Sequence, residues 1–247
     1  MFYRNKIGNE ICSKECFITE YSKNYFIDSA ENVDKDFKVK NISKSSRFVE
    51  NEICEFLSTE KVISDPHDVF NILAWKIGTI NHRSSIDRFV YHSNCDYENY
   101  IIKDRKNEIK IKDLAEHILE KNSELTSTAK NRPQDFLNNL NDFLDKNGIK
   151  GIGTVYLITL LFFMSKGKYP IYDQFAAKAV YAIKNNIAPN NAINYSFYLP
   201  GRDSAWFSKI MCWYMNDYIN DLKSIFGEEY KTNRDIDRAL WVYGHAF

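Results

Sequence analysis

A glycine turn between two helical segments constrains this chain more than any other feature. The stretch from Gly148 to Phe175 reads Gly-Ile-Lys-Gly-Ile-Gly-Thr-Val, then an apolar run, then Tyr-Pro-Ile-Tyr-Asp-Gln-Phe. Leu137, Leu140, Phe143 and Leu144 recur at helical spacing before it. Gly148 supplies a helix stop, because glycine tolerates the left-handed C′ position. Gly151 and Gly153 let the backbone bend and approach another molecule closely. Thr154 opens the next helix, expected from about Val155 to Met164. Its first amides have no partner inside the helix and carry the positive end of its dipole, so they form a ready anion site. Lys150 adds a positive charge beside it.

Asp173 follows this second helix and is expected at the N-terminus of a third, Gln174 to Lys184. A carboxylate is electrostatically favoured there. Held at a fixed distance from a bound phosphate, it could do chemistry at the attached sugar. A carboxylate near a sugar carbon that turns cationic stabilises the charge or activates water. The plain alternatives are an αα-hairpin with glycines in its turn and an Asp173 that only caps its helix. A dinucleotide-binding loop fits less well, since that motif needs a preceding strand and the residues before Gly148 read as helical.

The segment resembles the helix-hairpin-helix DNA glycosylases, in particular the 8-oxoguanine glycosylase branch. The family hairpin reads Leu-Pro-Gly-Val-Gly-x-Lys, with an aspartate some twenty residues on, after a proline-containing loop. Ile149 to Val155 matches the hairpin, and Tyr169-Pro170-Ile171-Tyr172-Asp173 the loop and catalytic aspartate. Arg234 to His245 is similar to the last helix of a bacterial subgroup. The likeness covers roughly Asp65 to Phe247 and is specific around Gly148 to Phe175.

The resemblance implies a mainly α, glycosylase-like helical domain over residues 65–247. A separate N-terminal part, residues 1–64, is expected beside it, where short segments could form a small β element. It implies excision of a damaged or modified base, 8-oxoguanine-like, from double-stranded DNA, with Asp173 as catalytic residue. Gly148, Lys150, Gly151, Gly153 and Thr154 would bind DNA, and Gln174 would contact the base or backbone. Lys150 stands where the family has proline. The lysine that bifunctional members use as nucleophile falls on Val155, which cannot form a Schiff base. The expected enzyme is therefore monofunctional, with water replacing the amine, unless another lysine reaches the site. Lys76, Lys166 and Lys168 are the candidates. Lys76 comes first because it interrupts the apolar stretch Ile72 to Ile80; its plain alternative is a snorkelling surface lysine. A non-catalytic DNA-binding module with the same hairpin is the alternative function, and a helical interaction protein without a ligand at its glycine turn is a third.

Composition narrows the partners. The chain has 247 residues and a formal net charge of +0, so binding to nucleic acid needs a local basic face or backbone amides. Five cysteines, Cys12, Cys16, Cys54, Cys95 and Cys212, lie scattered with no second pair at metal-ligand spacing. Neither a zinc site nor an iron–sulfur cluster is expected, nor any cofactor. Scattered thiols fit a reducing cytoplasm. The longest apolar run, Val155 to Met164, is too short to span a bilayer. A monomer is expected.

Along the rest of the chain, Cys16 to Thr19 and Asn24 to Ile27 could be short strands, and Asp28 to Lys44 reads as loop. Phe48 to Leu57 has helical spacing. Asp65-Pro66 starts a helix that runs to about Ile80, and another covers about Lys112 to Asn122. Arg132-Pro133 starts the helix leading into the hairpin. Pro189 to Asp203 reads as loop, Ala205 to Ile225 as a long amphipathic helix, and Asp235 to His245 as the last helix. Trp206, Trp213, Tyr214, Trp241, Tyr243 and His245 read as packing residues.

Overall fold

The computed structural model describes residues 3–4, 11–23, 25, 63–77, 80–83, 88–91, 95–104, 107–192 and 207–246. These are mainly helical, with short antiparallel strands. They fall into two compact units. The first takes the described residues of Met1–Ser45, Pro170–Leu199 and Ser208–Phe247; the second takes those of Ser46–Tyr169 and Pro200–Phe207.

In the first unit, β1 (Tyr3–Arg4) pairs with β2 (Ile11–Cys12). Helix α1 (Lys14–Ser22) follows, its N-cap Ser13 accepting a hydrogen bond from the Cys16 amide at 3.2 Å. This corrects the strand expected at Cys16 to Thr19. Phe17, Ile18, Tyr21 and Ser22 are buried, a helical spacing that outweighs the local β-branched pair. The other expected strand, Asn24 to Ile27, lies almost wholly outside the described residues, as do the loop Asp28 to Lys44, the helix Phe48 to Leu57, and most of the loop Pro189 to Asp203.

Helix α7 (Gln174–Lys184) and helix α10 (Arg234–Ala246) form the frame of this unit, with α1 against α10. Phe17, Tyr21 and Tyr243 interlock with ring centroids 5.0–5.3 Å apart. Edge-to-face pairs of this kind add to plain area burial. Between them in sequence runs one long helical passage: α8 (Phe207–Cys212), a π-helical turn (Trp213–Tyr218) and α9 (Ile219–Phe226). It ends at Gly227, whose φ of 67° suits glycine.

The Tyr218 hydroxyl is buried with no hydrogen-bond partner among the described residues. A buried unpaired hydroxyl forfeits its hydration. Tyr218→Phe should therefore stabilise the protein by about 1 kcal/mol. The denaturation midpoint tests this; a fall would mean that the hydroxyl is paired in solution.

The second unit begins with α2 (Pro66–Lys76). Asp65 accepts from the His67 amide at 2.8 Å and Asp68 reaches back to the Asp65 amide at 3.2 Å, a capping box with proline in the first turn. The helix stops at Lys76 rather than continuing to Ile80. Ile80 instead opens β3 (Ile80–Arg83), paired with β4 (Arg88–Tyr91). A three-stranded antiparallel sheet, β5 (Cys95–Asp96), β6 (Ile101–Asp104) and β7 (Asn107–Lys110), comes next. Among the described residues, the larger β element therefore lies after α2, and the two-residue pair β1–β2 is what lies near the N-terminus. Helices α3 (Lys112–Glu120), α4 (Asn122–Asn131), α5 (Pro133–Lys146) and α6 (Thr154–Met164) complete the unit. From Tyr156 to Met164 every α6 side chain is buried, against α2, α4 and α5. That burial explains its nearly continuous apolar run, in which Thr159 is the one hydroxyl between Leu157 and Met164.

Candidate functional site

The expected hairpin is present in the second unit, joining α5 to α6. Asn147 caps α5, and Gly148 takes φ 64°. Its amide donates to the Asp145 carbonyl at 3.1 Å, and the Ile149 amide to the Leu144 carbonyl at 2.9 Å. This double closure is a Schellman motif. Gly151 takes φ 87°. Gly153 is extended and caps α6 with no side chain of its own, while the Tyr156 and Leu157 amides turn onto its carbonyl. The start of α6 therefore has backbone amides and the dipole end, with no side-chain cap from its N-cap residue.

Gly148, Lys150 and Gly151 are exposed, Gly153 is half-buried, and Thr154 is buried at 1% exposure. Any Thr154 contact with a ligand thus falls to its backbone. Gly151 meets the protein itself: a Cβ there would stand 2.9 Å from Cγ1 of Ile109 on β7. Gly148 has open space around it. Alanine at Gly148 should cost about 1 kcal/mol, the price of a left-handed residue alone. Alanine at Gly151 adds the overlap and should cost about 2–3 kcal/mol. Equal losses in denaturation would refute the close approach to β7.

Asp173 and Gln174 lie together in the first unit. Asp173 caps α7 in extended conformation and accepts from the Phe175 amide at 2.8 Å. It is half-buried, and Gln174 is exposed. The Pro-Ile-Tyr lead-in is anchored at both ends, Pro170 and Tyr172. The Tyr214 hydroxyl donates to the Pro170 carbonyl. The Tyr172 ring is fully buried, edge-on to Trp213 at 5.3 Å and to Tyr218 at 5.4 Å. Burial pushes the Tyr172 hydroxyl well above its ordinary pKa, with the Asp173 charge adding to the shift. The π-helical turn supplies Trp213, Tyr214 and Tyr218, and such turns recur at functional sites.

Two further residues lie in the same unit as Asp173: Lys178, given no role from the sequence, and His245, read there as a packing residue. Lys178, half-buried on α7, directs its amine to the Gly244 carbonyl at 3.4 Å, and burial lowers its pKa. His245 packs on Phe175 with centroids 3.3 Å apart and on Trp241 at 3.9 Å. Burial lowers its pKa; the hydrogen bond to the Trp241 carbonyl and the Asp173 charge act in the opposite sense. Only Gly244, next to His245, hints at this in sequence: glycine mid-helix marks a close approach.

Lys76 is the last residue of α2, half-buried, where a cation suits the C-terminal dipole. It belongs to the same unit as the hairpin; Asp173 and Gln174 belong to the other. Val155 is half-buried in the first turn of α6. A pocket of about 290 Å³ opens between α3, α4 and α5 beside the stacked rings of His117 and Phe143. None of the candidate catalytic, DNA-binding or base-contacting residues lines it. Among the described residues, no group of three or more His, Cys, Asp or Glu could hold a metal ion, and no helix is long and apolar enough to cross a membrane.

The chain matches no family model, no curated protein and no solved structure.

Proposed function

We propose that the protein is a monofunctional DNA N-glycosylase that excises a damaged or modified base. The observation that carries this reading is the hairpin. A Schellman stop, a left-handed glycine and a helix start without a side-chain cap follow one another within nine residues, Asn147 to Val155. Backbone amides so arranged suit a phosphate oxygen, and they do so without any excess of basic residues. That answers the neutral net charge of the chain.

On this reading the hairpin amides and Lys150 hold the DNA backbone, and the target nucleotide leaves the stack at a cost of a few kcal/mol. Asp173 stabilises the cationic sugar carbon or activates the attacking water. Gln174 contacts the base or the backbone. Valine at 155 leaves no amine at the family position, so the product is an intact abasic site rather than a broken strand. Lys76 is the first lysine to substitute should breaks appear.

The experiment uses labelled duplexes carrying 8-oxoguanine, uracil or a modified cytosine, each split into samples with and without hot alkali. Breaks only after alkali are expected. Breaks without alkali, with a borohydride-trapped adduct, would overturn the monofunctional mechanism and move the test to Lys76→Ala. The second reading is a non-catalytic DNA-binding module, favoured by Val155 and by the capping duty of Asp173. Salt-dependent binding with no cleavage on any duplex would select it.

A further inference from the structure

His245 is held in one orientation by three contacts, and one of them fixes its tautomer. Nδ1 lies 3.0 Å from the Trp241 carbonyl oxygen. A carbonyl only accepts, so Nδ1 must carry the hydrogen and donate. In the neutral ring, Nε2 is then the basic nitrogen. The ring packs against Phe175 at 3.3 Å and Trp241 at 3.9 Å. Phe175 is the residue whose amide Asp173 caps at 2.8 Å. Asp173 and His245 thus both contact Phe175, within a single unit. The charges that act on the ring are Asp173, which favours its protonation, and Lys178, which opposes it.

We propose that His245 is the general base of the Asp173 site: Nε2 takes the proton of the attacking water, leaving Asp173 to stabilise the sugar cation. The proposal rests on the glycosylase reading and divides between two residues the roles it left to one. The step balances as a hydrolysis. The water oxygen bonds to C1′ of the sugar while its proton goes to Nε2. The C1′–N bond breaks with its electron pair on the departing base, which takes up a proton from solvent. A base that is neutral near the working pH is the effective one. Burial favours the neutral ring, as the lowered pKa requires.

The test compares native protein, His245→Asn and His245→Gln in single-turnover release of the base from whichever of the three duplexes the native protein acts on. Asparagine keeps a donor near Nδ1 for the Trp241 carbonyl and lacks Nε2. Its release should slow about 10²-fold, and the fall in rate as pH drops below the ordinary histidine value of about 6.5 should vanish. Glutamine, which can place a polar atom near Nε2, serves if asparagine does not fold. In native protein, the ¹⁵N shifts of the imidazole should report the Nδ1–H form, and Asp173→Asn should lower the ring's pKa further. Native-like release with an unchanged acid limb in both variants, or an Nε2–H tautomer, would overturn the role of His245 alone. No release by native protein would overturn the glycosylase reading and this role with it.

Discussion

Asp173→Asn should cut base release by about 10²–10³-fold while leaving duplex affinity and the melting temperature nearly unchanged. The two halves of this expectation come from the two things Asp173 does. As N-cap it accepts from the Phe175 amide, and asparagine caps a helix about as well as aspartate. As the proposed catalytic carboxylate it supplies a charge that asparagine cannot. Asp173→Ala removes both, and should add a stability loss of about 1 kcal/mol to the same loss of activity. A carboxylate that only capped the helix would behave differently: the asparagine variant would be fully active wherever the native protein is active. Parallel activity and thermal-melt measurements on the two variants separate the roles.

Gly244→Ala should be the most destabilising single-methyl change in the first unit. An ideal Cβ at 244 would stand 1.9 Å from the carbonyl oxygen of Phe175 and 2.6 Å from its carbon. Both are backbone atoms in the first turn of α7, so no side-chain rotation relieves the overlap. The helices must part. Alanine would otherwise gain up to about 1 kcal/mol over glycine within a helix, but separating α7 from α10 should outweigh that and leave a net loss of about 3 kcal/mol. Melting should fall by roughly 6–12 °C. The same shift would pull the Gly244 carbonyl from Lys178 and the His245 ring from Phe175, so base release should fall together with stability. A variant as stable as the native protein would mean that the two helices lie farther apart than 1.9 Å implies.

The parts of the fold legible in sequence are those where local chemistry and period agree. Asp173 followed by an amphipathic run read as a capped helix, and α7 spans Gln174–Lys184 as expected. Gly148 read as a left-handed stop, and it is one. Asp65-Pro66 read as a start, and the capping box is there. The strands between Ile80 and Lys110 were missed because two- and four-residue strands hold too few alternations to reveal a period of two. The long apolar pattern after Asp65 then carried the expected helix four residues beyond its end. At Cys16 to Thr19 the error ran the other way: a four-residue window saw β-branched residues, while the buried set Phe17, Ile18, Tyr21 and Ser22 has helical spacing.

At the candidate site the same rule holds. Glycines and caps act on their neighbours in the chain, so the hairpin and the position of Asp173 were readable. His245 was not, because its significance lies in a carbonyl one turn back and a ring on another helix, 70 residues away in sequence (Phe175). The anchoring of the lead-in by Tyr214 and Tyr172 depends on a π-helical turn, which shifts side chains by one position and has no sequence signature of its own.

The most direct test of the central claim needs no guess about which base is removed. DNA treated to carry oxidised, deaminated and alkylated bases is incubated with native protein and with Asp173→Asn, and the small molecules released are identified by mass spectrometry. The account predicts a free base from the native protein, no free base from the asparagine variant, and intact strands until alkali is added. Salt-dependent binding of that DNA by both proteins, with no free base released by either, would contradict it.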